Sequence, residues 1–125
     1  MLGRFIRCSA LLGILVLAVL SWTPGQHMLR TRILTGPEEH FLAHLLVAMT
    51  VAAAVRRPNL ILWTLLALVG YAGLLELGQY LVPGRSPALG DFAASALGAT
   101  LGVSCVWLSH IMSRRARRRP VIPGP

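Results

Sequence analysis

The sequence predicts an all-α fold, an integral membrane bundle of four transmembrane helices, and three observations lead to this prediction. Of its 125 residues, 55% are hydrophobic and only 13% are charged, whereas soluble domains carry about 25% charged residues. The mean hydropathy is +0.67. Apolar segments long enough to cross a bilayer, about 20 residues each, recur along the chain between short polar breaks. Together these observations exclude a large soluble module.

Each predicted helix is an apolar run bounded by residues that break helices. The predicted spans are Phe5–Trp22, Glu39–Val55, Leu60–Val82 and Ala88–Met112. The breaks read TPGQ at Thr23–Gln26, RRPN at Arg56–Asn59 and PGRSP at Pro83–Pro87, so each contains the proline or glycine typical of a turn. The first run follows two arginines, as a signal peptide does, but it lacks a small-x-small cleavage motif and three more spans follow it. This favours an uncleaved membrane anchor.

The twelve basic residues are all arginine, and their distribution predicts the orientation of the bundle. Positive residues in short flanking segments stay in the cytoplasm. With both termini inside, nine arginines are cytoplasmic (Arg4, Arg7, Arg56, Arg57, Arg114, Arg115, Arg117, Arg118 and Arg119) and three are outside (Arg30, Arg32 and Arg85). The sequence therefore predicts an N-in, C-in topology. Because apolar segments divide the arginines, nucleic-acid binding is not expected.

The predicted domain organisation is a transmembrane domain, residues 1–113, followed by a cytoplasmic tail, residues 114–125. The tail is rich in arginine and proline and is predicted to be disordered. Two roles are open for its arginines. They act as a stop-transfer anchor, or they bind anionic lipid headgroups or a cytoplasmic partner.

Polar side chains interrupt the apolar runs on the outer side of the predicted membrane. An ionised carboxylate at the bilayer centre costs about 2.5–3.5 kcal/mol on insertion scales, so such groups need both a shallow position and partners. Glu76 lies sixteen residues along the third span, which places it near the outer boundary. The polar side chains expected to converge there are His40, His44, Glu76, Gln79, Arg85, Asp91 and Ser95.

Small residues mark the faces where helices are expected to approach closely. Gly70 and Gly73 continue the face of Glu76 along the third helix, and Ser95, Gly98 and Gly102 form a stripe on the fourth. Glycine at such spacing lets two helix backbones meet in a membrane. The sequence therefore predicts close contacts for both helices, with the polar groups facing protein instead of lipid.

Two motifs resemble the signature of VanZ-like membrane proteins: E-L-G-Q-Y-L-V-P-G-R-S-P-A-L-G-D at residues 76–91 and A-L-G-A-T-L-G at residues 96–102. The S-x-x-P at Ser21–Pro24 and the H-F at His40–Phe41 extend the likeness over most of the chain. The characteristic Glu, Gln, Arg and Asp of the family fall on Glu76, Gln79, Arg85 and Asp91. Two departures are visible, since Gly36-Pro37 stands where the family has Asp-Lys and Ser95 stands where it has Asn.

This resemblance implies a multi-pass protein of the bacterial plasma membrane with a role in the cell envelope. The protein that gives the family its name is associated with resistance to the glycopeptide antibiotic teicoplanin. Family likeness alone does not license an activity, so the residues leave several functions open.

The first function is structural, with the four polar side chains forming a buried cluster that fixes the hairpin of the third and fourth helices. The second is binding, in which the outward N-termini of the second and fourth helices and Arg85 hold an anionic lipid or a cell-envelope precursor. In that case Glu76 and Asp91 orient Arg85, and the histidines add donors that depend on pH.

The third function is a membrane-embedded enzyme that uses Glu76, Asp91 and His40. HFLAH has the i, i+4 histidine spacing of helical zinc sites, but Phe41 replaces the glutamate of the zincin motif, so neither a metal nor another cofactor is expected. Transport would require an oligomer, because a four-helix monomer has little room for an aqueous path and the charges collect near one face of the bilayer. The partners that the residues leave open are membrane lipids, a second copy of this chain and another membrane protein.

Overall fold

In a computed structural model, residues 1–27, 33–55 and 57–117 are described, and this part of the chain contains helices and no strands. Four long helices follow one another: α1 (Leu2–Ser21), α2 (Gly36–Ala54), α3 (Ile61–Gly78) and α4 (Leu89–Arg117). Single 3₁₀ turns lie at Gly25–His27, Pro58–Leu60 and Gln79–Leu81. The all-α prediction and the predicted number of helices are confirmed.

The helices run alternately up and down. The connection between α1 and α2 meets the connection between α3 and α4, where the Gly25 amide donates to the Pro83 carbonyl at 3.2 Å. A Cβ atom on Gly36 would lie 3.7 Å from the Asp91 carboxylate, so α2 and α4 begin side by side. We call this end of the bundle the connection end. Met1 and Arg117 both lie towards the opposite end, the terminal end.

The described helices are compatible with a membrane protein that crosses the bilayer several times. Three segments are long and apolar enough to cross: Leu2–Ser21, Ile61–Leu81 and Leu89–Ala116. Their outward surfaces carry exposed leucines such as Leu12 at 61% and Leu62 at 60%. Such side chains suit a hydrocarbon solvent. α2 lies beside these helices and packs most extensively against α4.

The tightest helix packing joins α2 to α4 along the predicted glycine stripe. A Cβ atom on Gly102 would come within 2.6 Å of the Leu45 carbonyl oxygen, and one on Gly98 would overlap the carbonyl of Phe41. Next to this seam, a core cluster forms from Ala48, Ala52, Leu68, Ala99 and Val103. The prediction of close approach is therefore confirmed for α4, whose glycines bring two helix backbones together.

The same prediction for α3 is wrong at Gly70. A Cβ atom there would meet nothing within 4 Å, and one on Gly73 would make only an ordinary contact, 3.5 Å from the Phe92 ring. The physical reason is that the glycine seam of α4 faces α2. Larger side chains such as Phe92 fill the interface between α3 and α4.

The boundaries of all four helices differ from the predicted ones. α1 begins at Leu2 instead of Phe5, and α3 ends at Gly78 instead of Val82, with a 3₁₀ turn following it. α2 begins at Gly36, three residues early, because the backbone amide and hydroxyl of Thr35 both donate to the Glu38 carboxylate, at 2.8 and 2.9 Å. These hydrogen bonds belong to a capping box between Thr35 and Glu38, which stabilises the first turn of α2. α4 continues past its predicted end at Met112 to Arg117.

The first four residues of the predicted tail are therefore helical, a correction to the prediction that residues 114–125 are disordered. Residues 118–125 lie outside the described residues, as do Arg30, Arg32 and Arg56 of the topology prediction. Arginine has a high helix propensity, which favours continuation of α4.

Candidate functional site

Glu76 fastens the end of α3 to the start of α4. Its side chain is 6% exposed, and its Oε1 atom accepts the backbone amide of Ala88 at 2.6 Å. Ala88 directly precedes α4, where the first amides of a helix lack intrahelical acceptors. The carboxylate therefore satisfies a helix end whose dipole also favours negative charge. Gln79, at 2% exposed, donates from Nε2 to the Oε2 atom of Glu76 at 3.3 Å.

Arg85 contacts the end of α1. Its Nε atom donates to the Thr23 carbonyl at 3.1 Å and its Nη2 atom to the Leu20 carbonyl at 2.7 Å. The last carbonyls of a helix have no partner within the helix and form the negative end of its dipole. The guanidinium group therefore caps α1 from a loop more than sixty residues further along the chain.

Two aromatic side chains join α1 to α3 beside this contact. The Trp22 indole donates to the Leu75 carbonyl at 3.3 Å, and the Tyr71 hydroxyl donates to the Ile14 carbonyl at 2.6 Å. The Trp22 ring lies so close to Gly78 that a Cβ atom there would be 2.5 Å from the indole Nε1 atom. Sequence reasoning missed these contacts, although the S-x-x-P motif drew attention to the segment that holds Trp22.

His40, His44, Asp91 and Ser95 form a second group of contacts, in the seam between α2 and α4. His40 Nε2 lies 3.8 Å from the Asp91 carboxylate, and His40 Nδ1 lies 3.3 Å from the Ser95 hydroxyl. The imidazole rings of His40 and His44 stack with their centroids 6.3 Å apart. His44 Nδ1 contacts the His40 carbonyl at 2.9 Å.

The combination of Asp91, His40 and Ser95 has the residue types of a nucleophile triad, but its position does not suit one. A triad presents its serine hydroxyl to a substrate. Ser95 is only 2% exposed and packs between two helices. The arrangement therefore supports a hydrogen-bonded packing seam.

The residues that the structure describes do not form a metal centre around the two histidines. Among residues 1–27, 33–55 and 57–117, no three His, Cys, Asp or Glu side chains are placed to hold a metal ion. The Nε2 atom of His44 is buried and has no hydrogen-bond partner within those residues.

A groove of about 310 Å³ opens between the end of α3 and the start of α4. It is lined by Gly73, Glu76, Leu77, Tyr80, Pro87, Ala88, Leu89 and Phe92. Glu76 is the single charged side chain among these residues and lies at the buried edge. Leu77, Tyr80 and Leu89 are 62%, 74% and 87% exposed, so the groove opens onto the outer surface of the bundle. It presents an apolar wall with one carboxylate.

The seven predicted site residues therefore fall into three groups of contacts: Glu76 with Gln79 at the groove, Arg85 at the end of α1, and the four residues of the seam between α2 and α4. The groove residues other than Glu76 were not predicted as site residues. The spacing of Gly73, Leu77 and Tyr80 on one face of α3 was the signal that could have found them.

The acidic residues of the chain gather at one end of the bundle. All four acidic residues, Glu38, Glu39, Glu76 and Asp91, belong to the start of α2, the end of α3 or the start of α4, which is the connection end. The arginines of the first turns of α1 and the last turn of α4 lie at the terminal end. The connection end also contains Arg85, so acidic and basic side chains occur there together.

Comparison of the chain with protein-family models, with curated proteins and with solved structures gave no match. The likeness to VanZ-like proteins stays a prediction that rests on the motifs quoted above.

Proposed function

We propose that this chain is a VanZ-like protein of the bacterial plasma membrane that crosses the bilayer four times, with both termini in the cytoplasm. The up-and-down order of the helices supports this topology, because α2 lies alongside α4 and begins at the same end. The arginines favour this orientation, because arginine-rich flanking segments such as those at the terminal end stay in the cytoplasm.

Labelling of single cysteines tests the topology. In a chain with Cys8→Ser and Cys105→Ser, a membrane-impermeant maleimide added to intact cells should label Ser86→Cys, in the connection between α3 and α4. It should label Ser113→Cys, at the terminal end, only after permeabilisation. Labelling of Ser113→Cys but not of Ser86→Cys in intact cells would contradict the proposed topology, because it would place the C-terminus outside.

The proposed function is to bind a membrane lipid or a lipid-linked cell-envelope precursor at the connection end. The observation that carries it is the groove between α3 and α4, where an apolar wall ends at a buried carboxylate. Ligand sites combine mostly apolar walls with few polar groups that fix orientation. In the proposed topology the groove opens to the outer leaflet, where an acyl or isoprenoid chain can enter from the side.

The contacts of Glu76 and Arg85 favour a headgroup that donates hydrogen bonds. Each carboxylate oxygen of Glu76 accepts one bond within the protein, and a carboxylate oxygen can accept two. The sequence led to the expectation of an anion held by Arg85, but that guanidinium group donates to the Leu20 carbonyl in α1 and to the Thr23 carbonyl just after the helix. We therefore place an ammonium or hydroxyl group beside Glu76. A headgroup phosphate would then lie outside the groove, towards solvent.

Native mass spectrometry of the protein released from lipid nanodiscs tests this function. Gly73→Leu projects a side chain into the groove, whereas Gly70→Leu, one turn away on the same helix, enters open space and serves as the matched control. The nanodiscs contain phosphatidylethanolamine, phosphatidylcholine, phosphatidylglycerol and undecaprenyl phosphate. We expect a retained lipid in the wild type and in Gly70→Leu, and at least tenfold less in Gly73→Leu. Equal retention in both variants would contradict the groove as the site.

Glu76→Gln identifies the headgroup chemistry, because the amide oxygen still accepts the Ala88 amide. If the headgroup donates to the carboxylate, phosphatidylethanolamine is favoured over phosphatidylcholine in the wild type, and this preference disappears in Glu76→Gln. Retention of phosphatidylglycerol or undecaprenyl phosphate that is lost in a folded Arg85→Ala variant would instead support the anionic ligand.

A purely structural role is the second candidate, and a specific observation favours it. The contacts of Glu76 and Arg85 go to backbone groups at two helix ends, the end of α1 and the start of α4. On this account no lipid is retained in any variant, while Arg85→Ala lowers the folded yield.

The family resemblance also leads to a proposed effect on susceptibility to teicoplanin. Expression of the wild type in a susceptible bacterial host should raise the minimal inhibitory concentration of teicoplanin, and expression of Gly73→Leu should not. An equal rise with both proteins would show that the effect on teicoplanin susceptibility does not depend on the groove.

A further inference from the structure

α4 continues well beyond the helix that it packs against. α2 has 19 residues and α4 has 29, and the two begin at the same end of the bundle. The core cluster of this seam reaches Val103, with Val106 packed against it. From Trp107 to Ala116 every described side chain except that of Ile111 is exposed. The last turns of α4 therefore project from the bundle without a neighbouring helix.

The whole of α4 is too long to lie wholly in the hydrocarbon core. At about 1.5 Å per residue, a helix of this length extends about 43 Å, against a core about 30 Å thick. About nine residues therefore extend beyond the hydrocarbon. They emerge at the terminal end, at the depth where lipid headgroups lie.

The side chains of this segment combine apolar groups with arginines. Leu108 and Met112 are 54% and 62% exposed and lie one turn apart on the helix surface. Arg114 and Arg115 are exposed in the next turn, and Arg117 ends the helix. The last acidic residue of the chain is Asp91, at the opposite end of α4, so this segment contains no carboxylate side chain.

We propose that the arginine-bearing end of α4, residues 107–117, binds anionic lipid headgroups of the leaflet at the terminal end of the bundle. Juxtamembrane basic residues are attracted to anionic lipids by about 1 kcal/mol each, which corresponds to about fivefold in affinity. Exposed Leu108 and Met112 suit the boundary between headgroups and acyl chains, where an apolar side chain inserts without a protein partner. This surface is separate from the groove, which lies at the connection end.

A lipid titration followed by native mass spectrometry tests this proposal. The full-length protein in a non-ionic detergent is titrated with phosphatidylglycerol or with phosphatidylcholine of the same acyl chains. The test variant is Arg114→Gln/Arg115→Gln. The matched control is Arg4→Gln/Arg7→Gln, which removes the same charge from exposed positions on α1 at the same end of the bundle. Circular dichroism confirms that each variant is folded.

We expect the wild type to prefer phosphatidylglycerol over phosphatidylcholine. The α4 variant should bind phosphatidylglycerol about 25-fold more weakly, at about fivefold per arginine. The α1 variant should lose less, because α1 with its 20 residues spans only about the thickness of the hydrocarbon core, whereas α4 projects beyond it. Arg114→Lys/Arg115→Lys should keep most of the preference for phosphatidylglycerol, because lysine retains the positive charge that attracts anionic lipid headgroups. Higher salt should weaken the binding.

Three results would overturn the proposal: equal affinity of the wild type for the two lipids, equal losses in the α4 and α1 variants, or tighter binding of a short RNA oligonucleotide than of phosphatidylglycerol. Gly73→Leu, which fills the groove, should leave the titration unchanged. Failure of the groove proposal and failure of this one are therefore distinguishable.

Discussion

Gly102→Ala tests the packing that places α2 beside α4. A Cβ atom at this position would lie 2.6 Å from the Leu45 carbonyl oxygen, 2.9 Å from Ala48 Cβ and 3.2 Å from the Met49 amide nitrogen. None of these atoms can move away by a rotamer change. A comfortable carbon–oxygen contact is about 3.3 Å, so the helices must separate locally by about 0.7 Å.

This separation has a cost that can be estimated from the seam. Overpacking of a well-packed core by one methyl group costs about 1–3 kcal/mol. The bond between His40 Nδ1 and Ser95, at 3.3 Å, lies further along the same seam and is expected to stretch beyond hydrogen-bonding distance. At about 4 °C per kcal/mol for a chain of this size, we expect the midpoint of thermal unfolding to fall by about 4–12 °C.

Thermal unfolding in one detergent, followed by the helical circular dichroism signal, measures this effect. Gly90→Ala is the matched control on the same helix, because a Cβ atom there meets nothing within 4 Å. Alanine favours a helix over glycine by about 1 kcal/mol, so this control should be neutral or slightly stabilised. Gly98→Ala, whose methyl group would overlap the Phe41 carbonyl, should lose more than Gly102→Ala. Equal shifts for Gly102→Ala and Gly90→Ala would refute the close approach of α2 and α4.

Four further substitutions test contacts at the connection end and between α1 and α3 by the same unfolding measurement. Arg85→Ala removes the hydrogen bonds to the Leu20 carbonyl in α1 and to the Thr23 carbonyl just after it, and should cost about 1–3 kcal/mol. Arg85→Lys should be intermediate because an ammonium group lacks the planar fork. Tyr71→Phe removes the bond to the Ile14 carbonyl and should cost about 1 kcal/mol. Gly84→Ala introduces a side chain at φ +74° and should cost about 1–2 kcal/mol. A shift no larger than that of Gly90→Ala would contradict the corresponding contact.

The helices and their tightest seam could be predicted from the sequence because they depend on local patterns. Apolar runs between proline and glycine breaks gave the four helices, and the spacing of Gly98 and Gly102 gave the contact with a neighbour. The identity of that neighbour was not predictable, since small residues show where a backbone can approach and not which one does. Gly70 and Gly73, three residues apart on α3, led to the same prediction, yet Gly70 faces open space.

The candidate site was predictable only in its general position. Glu76, Gln79, Arg85 and Asp91 do gather at one end, yet each partner depends on how the helices rotate about their axes. Arg85 lies six residues from Asp91 in the sequence but contacts carbonyls of α1, more than sixty residues away. The groove depends on the same rotation and on the shape of several side chains. A pattern of polar residues in a sequence specifies neither the rotation of the helices nor the shape of the side chains that line the groove.

The polar residues at the connection end have a common task that explains why a lipid-soluble bundle retains them. In hydrocarbon, unpaired backbone groups at helix ends cost several kcal/mol each. Arg85 covers carbonyls at the end of α1, Trp22 covers the Leu75 carbonyl at the end of α3, and Glu76 covers the amide that precedes α4. These bonds hold three helix ends in a fixed arrangement. Because the groove between α3 and α4 is formed by two of those ends, the same contacts that stabilise the fold also set the shape of the proposed lipid site. A substitution at Glu76 or Arg85 can therefore alter binding through position alone, which is why Gly73→Leu is the sharper test of function.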